Sequence, residues 1–118
     1  MKTIIAGSRN YYDYTQLAKE LEHYLENHAS ITEIVSGGAT GTDQLGECFA
    51  RNFNIPVRVF AANWTEHGRA AGPIRNRQMA QYADALVAFW DFESRGTKNM
   101  IEEMKKLDKP VYVVDISK

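Results

Sequence analysis

One cysteine, Cys48, stands in the whole chain. That excludes an intramolecular disulfide and a multi-cysteine metal cluster, and it fits a reducing compartment. Charge of one sign is missing too: 14 Lys plus Arg stand against 15 Asp plus Glu, a formal net charge of −1. No global field draws the molecule onto nucleic acid or an anionic membrane, so any anion binding has to be local. Long apolar runs are absent. The first, residues 3–6, is closed by Ser8 and Arg9, too soon for a signal-peptide core or a membrane span, and a cytoplasmic protein without a membrane partner is expected. Several chemical signatures are missing as well: a Gly-Lys-Ser/Thr phosphate loop, a GxGxxG after the first apolar run, a His-x-x-x-His pair and a GxSxG elbow. His23, His28 and His67 are dispersed, and Cys48 falls on a helix face predicted to be buried. Metal and thiol chemistry are therefore not expected, nor is a cofactor.

What is present suits one globular domain spanning residues 1–118. Hydrophobic residues make up 44% and charged residues 25%, enough apolar surface for one core at a length too short for two. Five short runs rich in β-branched or aromatic residues read as strands: 3–6, 33–35, 57–60, 85–90 and 111–114. Several are nearly continuous, as in a parallel sheet covered on both faces. Helical spacing separates them. Leu17, Leu21, Tyr24, Leu25 and His28 share one face of a helix over 14–28, capped by Asp13 or Thr15. Leu45, Cys48, Phe49, Asn52 and Phe53 repeat the pattern before Pro56 opens the third strand. A helix follows Gly72-Pro73, with Ile74, Met79 and Tyr82 as its apolar contacts. The last, over 97–107, turns Met100, Ile101, Met104 and Leu107 inward and Glu102, Glu103, Lys105 and Lys106 mostly outward. Strands alternating with helices imply right-handed crossovers and a Rossmann-like, doubly wound α/β domain. Strand order 3-2-1-4-5 places a topological switch between the first and fourth strands.

The loops leaving the strands, residues 7–9, 36–43, 61–69 and 91–97, hold the chemically interesting side chains, whereas the returns carry ordinary turns. Ligands of open parallel sheets sit beyond the carboxyl ends of the strands. Gly37, Gly38 and Gly41 follow the second strand and open a helix, leaving room for backbone N–H groups and the helix dipole to face a phosphate. Thr42 reads as a cap or a phosphate donor, and Asp43 as an acceptor of ribose hydroxyls. A ligand-free strand-to-helix turn would use the same residue types. Ser94-Arg95-Gly96-Thr97 lies at a second such junction, with Ser94 or Thr97 as cap. Arg95 beside that helix N-terminus works against the dipole unless an anion lies between them. Gly7-Ser8-Arg9 repeats the combination, and two such arginines on one edge would form an anion clamp.

Residues 67–77 pack Arg69, Arg75 and Arg77 together with no acid among them. Arg75 and Arg77, two apart, cannot share a helix face, so one is expected to bind an anion and the other to pair with Asp84 or Glu66. A solvated basic stretch is the plain alternative. Trp64 nearby serves equally as a base-stacking platform or a cap on the core.

Taken together, Gly7-Ser8-Arg9, the Gly37 to Asp43 loop, Trp64, the Gly-Arg-Ala-Ala-Gly-Pro-Ile-Arg-Asn-Arg stretch ending at Arg77, and Ala88-Phe89-Trp90-Asp91 with Ser94 to Thr97 resemble the SLOG superfamily. This Rossmann-like nucleotide-binding group includes LOG phosphoribohydrolases and DprA-type proteins, and the match is to its YspA-like branch of small bacterial and phage proteins. The resemblance implies a nucleoside monophosphate, ADP-ribose or NAD-derived ligand, a sensing or sequestering role, and a possible homodimer. It also offers an alternative, N-glycosidic hydrolysis. In the phosphoribohydrolase branch a Gly-Gly-x-Gly-Thr-x-x-Glu pattern supplies the catalytic glutamate. Here an extra residue separates the glycines and the position two after Asp43 is Leu45, which leaves Asp43 or Glu47 for that role, with Arg9, Arg69 or Arg77 on the phosphate. Binding of single-stranded nucleic acid by Trp64 and the arginines ranks third, because it wants a broader basic surface than this composition offers.

Overall fold

A computed structural model describes residues 1–117. The five apolar runs form one parallel sheet of β1 (Lys2–Gly7), β2 (Glu33–Ser36), β3 (Val57–Val59), β4 (Ala85–Trp90) and β5 (Val111–Asp115), in the order β3-β2-β1-β4-β5. β1 pairs with β2 from Lys2↔Glu33 and with β4 through Gly7↔Phe89. It is thus the strand at which the chain reverses its direction of travel across the sheet, and the loops after β1 and β4 diverge beside each other there.

Alternation of side chains along the strands divides the core in two. Ile5, Ile34, Val87 and Phe89 face one layer, where α1 (Tyr14–Asn27) and α2 (Thr42–Asn52) contribute Leu17, Leu21, Tyr24 and Phe49. Ile4, Val35, Leu86 and Ala88 face the other, where α4 (Ala71–Tyr82) and α5 (Arg95–Lys106) contribute Met79, Ala80, Met100 and Met104. Both faces of β1 and β4 are therefore dry, which is why those strands read as unbroken apolar runs. Edge strand β3 departs from this, with Val57 37% and Val59 50% exposed.

Several local expectations need correcting. In α2 the buried residues are Thr42, Asp43, Gly46, Phe49 and Ala50, while Cys48 is half-buried and Phe53 is 46% exposed. The helix is rotated from the reading made on its large apolar residues because Gly46 is the point of closest approach: a Cβ there would come within 2.9 Å of Ile5. In α5 Leu107 is 45% exposed, since it is the C-cap, and Glu103 is buried because it receives Lys106 Nζ at 3.3 Å and Arg77 Nε at 3.5 Å. Helix α4 starts before Gly72-Pro73, with Pro73 in its first turn, where a missing N–H costs nothing. The segment expected to be wholly loop contains α3 (Trp64–His67) and a 3-10 turn at Gly68–Ala70. Asp13 caps α1, accepting from Gln16 N at 3.0 Å. Among the described residues no helix is long and apolar enough to cross a membrane.

Candidate functional site

Three loop ends meet above the carboxyl edge of the sheet. The loop after β1 is tied to the start of α2 through one acceptor: the Ser8 carbonyl oxygen takes Thr42 N at 3.1 Å and Thr42 Oγ1 at 2.9 Å. Gly41, with φ +74°, lets this happen, because a Cβ there would collide with the Arg9 backbone. Thr42 is fully buried, and its hydroxyl braces two loops, where a helix cap or a phosphate donor was expected. Gly41 likewise is a site of loop-to-loop contact.

The glycine loop is partly occupied by its own side chains. Ser36 Oγ accepts from Gly38 N at 3.1 Å, and Asp43 Oδ2 accepts from Ala39 N at 3.1 Å. A carboxylate thus stands at the α2 N-terminus, where a phosphate had been expected, and two of the amides foreseen for an anion are already engaged. Burial pushes the Asp43 carboxyl up to about 6, against the opposing pull of the Ala39 N–H and the Arg75 guanidinium.

Arg75 projects from α4 to the same place. Its Nη1 donates to the Gly37 carbonyl oxygen at 2.6 Å and its Nε to Asn76 Oδ1 at 3.0 Å. Asn76 in turn donates to Gly96 O at 3.2 Å and Asn99 Oδ1 at 2.9 Å. A continuous chain of hydrogen bonds therefore runs from the loop after β2, through α4, to the first turn of α5. That turn is capped by Ser94, whose Oγ accepts from Thr97 N at 3.4 Å. Asp91 fixes the approach, accepting from Ser94 N at 2.8 Å and Glu93 N at 2.9 Å, bonds that hold its carboxyl below its ordinary value.

Two adjoining hollows result. The first, about 370 Å³, takes in Gly7, Ser8, Asp43, Ser94, Gly96 and Thr97. The second, about 340 Å³, takes in Gly37, Gly38 and Trp64. Arg9, Ala39 and Arg75 line both. Trp64 is 51% exposed, with the Arg9 guanidinium 5.9 Å from its ring centre, so it stands at the rim of the hollow and does not cap the core.

The remaining expected residues fall elsewhere. Arg77 pairs with Glu103, not with Asp84 or Glu66, and lines neither hollow. Arg69 and Arg95 are exposed and also line neither. The two arginines that share the hollows are Arg9 and Arg75, whereas Arg95, expected beside Arg9, stands apart. Glu47 accepts from Ser36 Oγ at 2.6 Å beneath the loop and is not part of either lining. Asn76 and Asp91 stand in the stretches that carry the family resemblance but were given no role of their own, and Asn10, in the loop after β1, was not foreseen. Among the described residues no group of three or more His, Cys, Asp or Glu side chains could hold a metal.

A family model described as "YspA, cpYpsA-related SLOG family" matches residues 1–67. The Gene 61 protein of Mycobacterium phage D29 is 32% identical over 116 residues, covering 93% of this chain and 93% of its own. Among solved structures, DNA processing protein A (DprA) from Streptococcus pneumoniae aligns with a TM-score of 0.77 and 17% identity over 98% of this chain, a likeness of fold. The chain spans about half of the DprA chain, 50%.

Proposed function

The chain belongs to the YspA, cpYpsA-related SLOG family, and from that premise we propose that it binds a nucleotide or nucleotide-derived ligand at the carboxyl edge of its sheet, as a sensing or sequestering module. One observation carries the reading: in a chain of net charge −1, Arg9 and Arg75 are shared by two adjoining hollows, the first of which also reaches the first turn of α5. Two guanidinium groups and a helix N-terminus form a local well for a phosphate. Arg75 keeps its Nη2 and one Nη1 hydrogen for a ligand after bonding Gly37 and Asn76. Asp43 is the acceptor for ribose hydroxyls, and Trp64 the surface on which a base stacks.

Hydrolysis of an N-glycosidic bond is the second reading. It is favoured by the Asp43 carboxyl, which lines the first hollow beside Asp91 and Glu93 and which burial pushes up to about 6, toward the range in which a general base works. Glu47 has no part in it, being held by Ser36. Both readings answer to one experiment. Thermal shifts are recorded with AMP, ADP-ribose, NAD and cyclic nucleotides, and each incubated ligand is then chromatographed. A raised Tm with intact ligand is the expected result, whereas release of free base promotes the hydrolase. No shift with any nucleotide, together with salt-dependent retention of an unstructured oligonucleotide, would replace both with single-strand binding.

A further inference from the structure

A third hollow, about 530 Å³, opens beside the first and shares Ser8, Asn10 and Asp91 with it. It lies between the loop after β1, the start of α1 and the end of β5, and its other walls are Tyr11, Tyr12, Asp13, Gln16 and Ile116. The three hollows adjoin in series along one edge, the first sharing lining residues with each of the other two.

Charge and aromatic surface differ between the two ends of this groove, and the middle hollow carries both signs, Arg9 and Arg75 with Asp43, Asp91 and Glu93. At one end Trp64 is 51% exposed, beside Arg9 and Arg75 and no acid. At the other end Tyr12 is 63% exposed, beside Asp13 and Asp91 and no cation. Two carboxylates repel a phosphate yet accept hydroxyl donors, so the Tyr12 end suits an uncharged nucleoside. Tyr11 helps shape it from beneath: its hydroxyl donates to Gln16 Oε1 at 2.6 Å and its ring stacks on Phe89 at 5.7 Å. The Tyr12 ring itself is left unburied at the mouth, and a solvated aromatic beside a polar hollow is the surface on which planar rings stack.

We infer that the groove is built for a ligand with two aromatic rings joined through phosphate: one ring on Trp64, the phosphate between Arg9 and Arg75, and the second nucleoside in the hollow of Tyr12, Asp13 and Asp91. This rests on the binding reading above and narrows it from nucleotides in general to dinucleotide-type ligands, whether a free NAD-like molecule or a short 5′-phosphorylated dinucleotide.

The test is titration calorimetry of the intact chain and of its Tyr12→Ala and Tyr12→Phe variants against AMP, ADP-ribose, NAD and pApA. Tyr12 is exposed and makes no side-chain hydrogen bond that the fold depends on, so both variants should fold, and their melting curves check this. NAD or pApA should bind the unaltered chain at least tenfold more tightly than AMP. Tyr12→Ala should erase most of that advantage while leaving AMP affinity within about twofold, and Tyr12→Phe should restore it, since stacking needs the ring and not the hydroxyl. AMP binding as tightly as NAD and pApA would overturn the two-ring proposal and leave nucleotide binding intact, as would a Tyr12→Ala variant that loses nothing. A chain that binds none of the four would overturn both. NAD and pApA differing tenfold from each other would identify the source of the second ring.

Discussion

The Arg75 guanidinium, carried on α4, donates through Nη1 to the Gly37 carbonyl oxygen at 2.6 Å. A side chain after the third strand thereby fixes the backbone of the loop after the second, and Asn76 extends the bracing to Gly96. The rim is held in shape by the same cation that the ligand reading assigns to phosphate. Arg75→Ala should therefore lose both, at about 1.5–3 kcal/mol of stability for a charge-assisted bond and at least tenfold in AMP affinity. Urea unfolding and calorimetry measure the two effects. Arg75→Lys should recover part of the affinity without the stability, because a lysine cannot span two acceptors with fixed geometry.

Asp43 gives the fold a pH dependence of defined sign. Its carboxyl holds a proton up to about 6 in the folded state against an ordinary value of 3.8, chiefly because it is buried. Between those values the native state binds more protons than the unfolded one, so this group's contribution is full below about pH 4 and is lost as pH rises through 6. The loss amounts to about 3 kcal/mol, at roughly 1.4 kcal/mol per unit of pKa. Asp43→Asn should remove that slope: its unfolding free energy, relative to the unaltered chain, should climb from pH 4 to 6.5 and then level off. Asp91 and Asp115, lowered by the Ser94 N–H and by Ser117 respectively, act with the opposite sign at lower pH and cancel in the comparison.

Thr42 separates bracing from binding. Its hydroxyl donates to Ser8 O in a fully buried setting, and Ser8 O keeps the Thr42 N–H when the hydroxyl is removed. Thr42→Val should cost about 1 kcal/mol in urea unfolding and change AMP affinity by less than about twofold. A tenfold loss of affinity at unchanged stability would return the hydroxyl to the ligand.

Arg9 and Arg77 make a matched pair, since both are basic and only one lines the groove. Arg9→Ala should reduce AMP affinity roughly tenfold, the lower range for a charge-assisted hydrogen bond. Arg77→Ala should leave it within about twofold and cost under about 1 kcal/mol of stability, because Lys106 still faces Glu103.

The fold was legible because β1 and β4 are dry on both faces and so announce themselves as apolar runs, and because alternating helices leave few topologies. The rotation of α2 was not, since it is set by Gly46 against Ile5, and a missing side chain leaves no mark in an apolar pattern. In the site, the loops after β1, β2 and β4 were readable from glycine, hydroxyl and arginine at strand ends. The partners of the arginines were not: a spacing of two residues says that Arg75 and Arg77 diverge, but not which meets the Gly37 loop and which meets Glu103 on α5. Asn76 stands in a stretch that carries the family resemblance, but its partners, Gly96 and Asn99, come from another element and were hidden for the same reason.

The central claim is that negative charge is received where the loops after β1 and β2 and the first turn of α5 converge. Two-dimensional amide NMR of the 15N-labelled chain titrated with AMP tests it most directly. The account predicts saturable shifts at Ser8, Arg9, Gly38, Ala39, Gly96 and Thr97 and at the Arg75 Nε–H, with the amides of Ala29 and Tyr112 at the opposite end of the sheet unmoved. Shifts confined to that opposite end, or none at millimolar AMP, would contradict it.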